Sequence, residues 1–194
     1  MKAVGYHGTN SKYRDSIEKN GLDPRKSTHR SDHWLGQGVY FFDDYRKAQW
    51  WASTLLLKKR ECSRLVYKSV IEAPEEEVLD LDDNAQLDYF MTQTLKTVKE
   101  IEKERPGPMP VFDDKKFRAV FFDYFKEKNG MAVMMGTFTK SAAGYMAKRS
   151  RDELKRQKAI MDTIGLGYKE KQICVSRKEC IKSADLVYDE EEVV

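Results

Sequence analysis

The sequence contains little cysteine and histidine, with three residues of each among 194. Cys62, Cys174 and Cys180 form no CxxC pair, and three histidines cannot build a zinc-binding spacing. A small, odd number of cysteines without paired spacing argues against a disulfide framework and favours a reducing, intracellular setting. We therefore expect a cytoplasmic protein, in its own host or in a target cell, that uses no metal.

Long apolar runs are absent as well, so we predict no signal peptide, no membrane span and no membrane partner. The formal net charge is only +3, and a value this small does not identify a nucleic-acid binder. No internal repeat or low-complexity tract interrupts the chain. Its length and its hydrophobic content of 40% predict one folded domain over residues 1–194.

Several common cofactor and catalytic motifs are missing. The stretch GQGVYFFDD (36–44) lacks the third glycine of a dinucleotide fingerprint, and it leads into a strand pattern where that fingerprint opens a helix. The chain contains no GxxxxGK[ST], no HExxH and no GxSxG. No motif therefore indicates a P-loop NTPase, an HExxH metalloprotease or a serine hydrolase with a nucleophile elbow.

Short strand and helix patterns follow one another along the chain. The strands are predicted from apolar and β-branched runs at 3–7, 39–42, 64–71, 77–83, 130–138, 171–176 and 184–189. Helices are predicted at about 10–20, 44–55, 86–103, 115–127 and 141–163. Because strands and helices do not alternate strictly, we predict the α+β class rather than a doubly wound parallel sheet.

Two central helices are predicted to bury apolar stripes. The first stripe comprises Leu87, Met91, Leu95, Val98 and Ile101, and the second comprises Phe117, Val120, Phe121 and Tyr124. The proline-rich stretch 105–110 separates the two helices. We interpret about 83–128 as a helical insert within the single domain, and 189–194 as an acidic tail that frays.

Three motifs, taken together and in chain order, carry a family resemblance. YHGT (6–9) lies on the first predicted strand, GQGVYF (36–41) and KAQWWA (47–52) belong to the second strand and its helix, and EKQICVS (170–176) lies near the C-terminus. They resemble the ADP-ribosyltransferase superfamily, in the diphtheria-toxin and poly(ADP-ribose)-polymerase-like branch, whose signature is His, Tyr and Glu on three strands. The resemblance covers most of the chain except about 83–128, and the second half is similar to small bacterial and phage-type members.

The resemblance implies a split, bent mixed sheet with helices flanking a cleft for NAD, which is a substrate. It implies that His7 hydrogen-bonds the adenine-side ribose and that the backbone of Gly8 holds the nicotinamide amide. Thr9 is expected to contact the ribose or the adenine side. A glycine suits the close approach of a ligand to the backbone.

The resemblance also implies that Tyr40 and Trp51 stack on the nicotinamide ring, with Gly38 among the cofactor-binding residues. Trp51 follows Tyr40 by eleven residues, which matches the second stacking aromatic of the family. Two aromatic planes can hold a flat cationic ring by stacking and by cation–π attraction.

The chain departs from the family pattern at the catalytic glutamate. When QICVS is aligned with the family's strand, Gln172 occupies the glutamate position, and Glu170 lies two residues earlier on the same face of a strand. The family's glutamate holds a ribose hydroxyl and stabilises an oxocarbenium-like centre, and the second task requires a charge that an amide lacks. Both residues remain candidates, and long-chain polymer synthesis is not expected.

We therefore expect a mono-ADP-ribosyltransferase that transfers ADP-ribose from NAD to a macromolecule and releases nicotinamide. The alternatives are an NAD glycohydrolase toxin and a catalytically degenerate module that binds NAD or a partner. The acceptor is expected to be a protein or a nucleic acid. The nucleic-acid alternative is suggested by two basic clusters, seven Lys or Arg against two acidic residues in 140–158 and KKR at 58–60. A toxin, a phage-defence effector and a phage-encoded modifier all fit, and a toxin implies an antitoxin or inhibitor as a partner.

Overall fold

A computed structural model describes residues 1–27, 30, 33–56, 62–104, 114–140, 152–153, 156, 159–160, 163 and 168–193. In these residues the chain forms one seven-stranded mixed sheet and four α-helices. The predicted α+β class is confirmed. The cluster at 58–60, the stretch 105–110 and most of the basic helix predicted at 140–158 lie outside the described residues.

The strands are β1 (Lys2–Asn10), β2 (Val39–Phe42), β3 (Arg64–Glu72), β4 (Val78–Asp80), β5 (Val133–Lys140), β6 (Tyr168–Val175) and β7 (Asp185–Asp189). The helices are α1 (Arg14–Asn20), α2 (Tyr45–Leu56), α3 (Asn84–Glu104) and α4 (Asp114–Asn129). Most bounds agree with the predicted patterns within a few residues. β1 is longer than predicted because all nine of its residues pair with β3.

Local capping accounts for the end of α1, the start of α2 and the 3₁₀ turn that precedes α1. Asn10 caps the 3₁₀ turn that precedes α1, and its side chain accepts a hydrogen bond from the backbone N–H of Lys12 at 3.2 Å. Gly21 ends α1 with a positive φ of 68°, which favours glycine. Asp44 accepts a hydrogen bond from the Arg46 backbone N–H at 2.7 Å at the start of α2.

The strand order is β4-β5-β6-β2-β1-β3-β7, and β4 and β5 are the only parallel neighbours among these strands. β5 and β6 share eight register pairs, and β1 and β3 share nine. β1 and β2, in contrast, share a single pair, Tyr6 with Phe42. The sheet therefore consists of two well-paired halves that meet at a weakly paired junction, here called the seam.

Apolar side chains cover both faces of the sheet. On one face, Phe41, Tyr67 and Ile173 form the main core together with Ile17 of α1. Alternation along the strands places Tyr40, Phe42 and Gln172 on the opposite face, here called the site face.

Two helices, α2 and α4, lie over the site face. α2 approaches β1 very closely, since a Cβ on Gly8 would lie 2.0 Å from the Ala48 carbonyl oxygen.

The predicted inward stripes on α3 and α4 are wrong for most of their residues. Leu87, Met91 and Leu95 of α3 and Phe117, Val120 and Tyr124 of α4 are exposed, whereas Val98 and Phe121 are half-buried. The side chain of Ile101 lies outside the described part of the chain. Phe122 and Phe125 turn inward instead, and Phe90 packs on both rings at centroid distances of 5.5 and 4.8 Å. Aromatic packing between the helices decides which side of each helix is buried.

The acidic end of the chain is also more ordered than predicted. Asp189 is buried and pairs with Arg14 of α1. Glu190 pairs with Arg64 and also accepts a hydrogen bond from the Arg64 backbone N–H at 2.9 Å. These contacts hold β7 and the following turn against β3. None of the described helices is both long and apolar enough to cross a bilayer.

Candidate functional site

The three predicted site strands are neighbours in the sheet, in the order β6-β2-β1. Tyr6, Phe42 and Gln172 form one row across these strands. The imidazole Nδ1 of His7 lies 2.8 Å from the Tyr40 carbonyl oxygen. The fold thus places residue 7 and residue 172 on the two strands that flank β2.

His7 spans the seam but does not point to the site face. Strand alternation places its side chain on the face of Phe41, whose ring centroid lies 5.9 Å away. A carbonyl oxygen can only accept, so Nδ1 of His7 carries the proton and Nε2 is left as an acceptor. Burial lowers the pKa of His7 below its ordinary value, which favours this neutral form. A neutral Nε2 can accept a hydrogen bond from a ribose hydroxyl.

Gln172 and Glu170 form a buried hydrogen-bonded pair on the site face. The Gln172 Nε2 donates to Glu170 Oε1, and the two side chains are 4% and 0% exposed. Gln172 lies beside Phe42, whereas Glu170 lies beside Phe138, beyond the end of β2. No hydrogen bond to Gln172 Oε1 is recorded among the described residues. The site therefore contains both a carboxylate and an amide oxygen that can accept.

Tyr40 holds the turn that leads into β2. Its hydroxyl donates to the Gly36 carbonyl at 2.6 Å and accepts from the Leu35 N–H at 2.8 Å. Burial raises the pKa of Tyr40, so the phenol remains neutral. One face of its ring packs on His33, with centroids 4.7 Å apart. Tyr40 thus has a structural role in addition to the stacking role implied by the family resemblance.

Trp51 lies on α2 at the edge of the same face. Its ring contacts Phe42, with centroids 6.4 Å apart, and the guanidinium of Arg30 lies 5.0 Å from the indole centroid. Tyr40 and Trp51 share no ring contact with each other in the part of the chain that the structure describes. The planar guanidinium of Arg30 therefore covers one face of Trp51, the residue predicted to stack on nicotinamide.

The remaining predicted cofactor residues are packed into the fold. Gly8 lies under α2, and Thr9 is buried where β1 pairs with Leu65. Gly38 lies against β6, since a Cβ there would stand 2.7 Å from the Cys174 sulfur. Gly8 and Thr9 nevertheless belong to the part of β1 that has no register pair with β2.

Sequence reasoning missed Asp123 and Lys126, the two α4 residues that hold the GQG turn. Asp123 accepts a hydrogen bond from the Gln37 backbone N–H at 2.6 Å, and Lys126 donates to the Gln37 carbonyl. Lys126 is 6% exposed and pairs with Asp123 at 3.1 Å. A Cβ on Gly36 would lie 2.3 Å from Asp123 Oδ1, and its φ of +73° favours glycine. The turn therefore binds a side chain of α4 rather than a phosphate.

The only sequence signal for this contact was the charged pair itself, at i and i+3 among the buried phenylalanines of α4. Sequence reasoning also missed Cys174, which lies opposite Tyr40 on β6. Burial raises the pKa of this thiol, so Cys174 remains protonated and its chemistry does not suggest a nucleophile.

Two surface recesses lie away from these side chains. One of about 350 Å³ is lined by Met1 and Glu72, and another of about 530 Å³ by Arg25 and Arg177. Because Glu170 is fully buried, a ligand reaches it only if the residues above the site face move. In this structure, here called the closed form, Glu170 is shielded from solvent.

No cluster of three or more His, Cys, Asp or Glu in the described residues is arranged to hold a metal ion. Comparison of the chain with protein-family models, with curated proteins and with solved structures finds no match. The functional interpretation therefore depends on the sequence motifs and on the geometry of the sheet.

Proposed function

We propose that this chain is an NAD-dependent mono-ADP-ribosyltransferase with a split-sheet fold of the ADP-ribosyltransferase type. The observation that carries the proposal is the Gln172–Glu170 hydrogen bond on the strand next to Tyr40. It supplies a buried carboxylate beside Gln172, the amide that this chain has where the family motif has a glutamate.

The proposed reaction breaks the bond between nicotinamide and its ribose. The bonding electrons leave with the nicotinamide, and positive charge develops on the ribose. Glu170 stabilises that charge, while Gln172 orients the carboxylate and offers Oε1 to a ribose hydroxyl. A nucleophile of the acceptor then bonds to the ribose carbon and loses its proton. The products are ADP-ribosylated acceptor, nicotinamide and H⁺.

The seam supports a cleft on the β1 side of β2, whereas Glu170, which lies beside Phe138 of β5, is uncovered only if the residues above the site face move. β1 and β2 are joined by one register pair and by the His7 bond to the Tyr40 carbonyl, so little backbone pairing has to be broken to separate them. Opening the seam would expose the unpaired part of β1, which contains Gly8 and Thr9. NAD binding is therefore expected to follow an opening of the closed form.

The proposal is tested, and the class of acceptor identified, by incubating the protein with a cell lysate and with NAD labelled in its adenylate part. Protein, RNA and DNA are then separated. The proposal predicts label in one of these fractions, together with one nicotinamide per ADP-ribose transferred. Free ADP-ribose without a labelled macromolecule would identify an NAD glycohydrolase. The absence of both label and free nicotinamide would contradict the proposal and favour a binding module.

The Glu170→Gln variant serves as the negative control, because it retains the shape of the side chain and can still hydrogen-bond Gln172. Labelling that is unchanged in this variant would show that the chemistry occurs elsewhere or belongs to the lysate.

A further inference from the structure

We propose that α3 is a self-association surface, which a second copy of this chain covers by pairing its own α3 in the antiparallel direction. The surface is a row of residues spaced four apart, here called the α3 row: Asp83, Leu87, Met91, Leu95 and Lys99. The inference is independent of the function proposed above, because no residue of the α3 row belongs to the candidate site.

The side of α3 that is turned toward the fold is largely polar. Thr97 is 2% exposed, and Gln86 and Thr94 are half-buried beside Phe90 and Val98. The Thr94 hydroxyl is buried, and no hydrogen bond to it is recorded among the described residues. Buried polar groups are usually hydrogen-bonded. The orientation of α3 therefore does not follow from burial of its own aliphatic side chains.

The opposite side of α3 exposes the aliphatic residues. Leu87, Met91 and Leu95 are 37%, 55% and 62% exposed. Residues spaced four apart are neighbours on a helix surface, so these three form one continuous ridge. A contiguous apolar ridge marks an interaction surface, whereas single exposed apolar residues do not. A partner that covers the ridge would remove from water apolar area that the folded chain leaves exposed.

Charges at the two ends of the row identify the partner as a second copy. Asp83 lies one helical turn before the ridge and Lys99 one turn after it, and both are exposed. When two rows pair antiparallel about a two-fold axis at Met91, each Asp83 lies beside Lys99 of the second copy. Leu87 of one copy then lies beside Leu95 of the other. Parallel pairing would instead bring like charges together, so the row is self-complementary in the antiparallel direction.

Helix packing permits this arrangement. Ridges of residues spaced four apart on two helices interdigitate at a crossing angle of about −50°. The apolar ridge then occupies the centre of the contact, and the charged ends lie at the rim, where water weakens each ion pair. A stable interface buries about 800 Å² per partner, more than one pair of crossing helices provides. We therefore expect a reversible dimer whose population depends on protein concentration.

Sedimentation velocity over a micromolar concentration series tests the dimer. The chain should change from monomer to dimer as its concentration rises. Met91→Asp places two carboxylates at the two-fold axis and should weaken dimerisation at least about a hundredfold. Val187→Asp adds the same charge at a 43% exposed position on β7, at the opposite edge of the sheet from β4 and α3. This control should dimerise like the wild type.

Charge reversal tests the antiparallel direction. Asp83→Lys and Lys99→Asp should each weaken self-association about tenfold at low salt, because both rim pairs become repulsive. An equimolar mixture of the two variants should recover wild-type association, since every lysine then faces an aspartate. Asp83 also accepts a hydrogen bond from the Gln86 N–H at 2.9 Å, and the mixture controls for loss of this cap because it contains the same variant.

Two sets of results would overturn the proposal. A wild-type chain that stays monomeric at every concentration would contradict it and leave the ridge to a different macromolecule. A dimer that Met91→Asp leaves intact would place the interface elsewhere. If the mixture associates no better than either charge variant alone, the antiparallel pairing of α3 is wrong.

Discussion

At the scale of single residues, His7 illustrates how an expected catalytic side chain also serves the fold. Its imidazole is half-buried, neutral and bonded to the Tyr40 carbonyl across the seam. Protonation would still leave a donor at Nδ1, but it would place a positive charge where burial disfavours one. His7 therefore links the stability of the seam to pH.

We predict that this link destabilises the protein in mild acid. The folded-state pKa of His7 lies below 6.5, so the unfolded chain binds more protons as pH falls below that value. The stability that neutral His7 allows, measured as the free energy of unfolding, is fully present above pH 6.5 and is lost as the pH falls below that value. The free energy of unfolding, measured with urea at pH 7.5 and 5.0, should differ less between the two pH values in His7→Gln than in the wild type. An equal loss of stability in both proteins would contradict this account of His7.

The sequence motifs predicted that His7, Tyr40 and Gln172 lie near one another, because each motif marks a strand. They did not reveal that His7 faces away from Tyr40, since that depends on the register in which Tyr6 pairs with Phe42. They also did not reveal the role of Gln37, whose partners Arg30 and Asp123 lie on other segments of the chain.

At the scale of elements, the strands and the first two helices followed from local patterns and caps. The orientation of α3 and α4 did not, because α4 is apolar around most of its circumference. Periodicity then fits more than one buried side, and tertiary packing selects among them. Phe122 and Phe125 are selected because they pack against Phe90 and the site face.

Two substitutions on α4 test this orientation. Phe125 is 0% exposed, so Phe125→Ala should reduce the free energy of unfolding by about 3–5 kcal/mol. Val120 is 62% exposed, so Val120→Ala should change it by no more than about 0.5 kcal/mol. Urea unfolding of the two variants measures the difference. If Val120→Ala costs as much as Phe125→Ala, the inward stripe predicted from the sequence is right after all.

At the scale of the whole molecule, the seam divides a continuous sheet into two halves. Pairing within each half is extensive, while β2 consists of four residues and shares one register pair with β1. Little backbone pairing resists opening at this junction, whereas the core side chains Phe41 and Tyr67 pack across it. Opening of the seam would expose the facing edges of β1 and β2 without unfolding either half.

Hydrogen exchange measured by mass spectrometry tests this division. Peptides covering β2 should exchange faster than peptides covering β5, which has eight register pairs with β6. Saturating NAD should slow exchange at 33–42 and leave β7 unchanged. If β2 exchanges as slowly as β5, and NAD has no effect, the seam is not the route to the site.

The central claim is that Glu170 supplies the carboxylate that cleaves NAD, and nicotinamide release measures it most directly. We predict that the purified chain, given NAD and its acceptor fraction, releases nicotinamide, and that Glu170→Gln lowers the rate about 10²–10³-fold with unchanged folding. Glu179→Gln, at an exposed position, should match the wild type. Release that is equally fast in Glu170→Gln and wild type, or absent in both, would contradict the account.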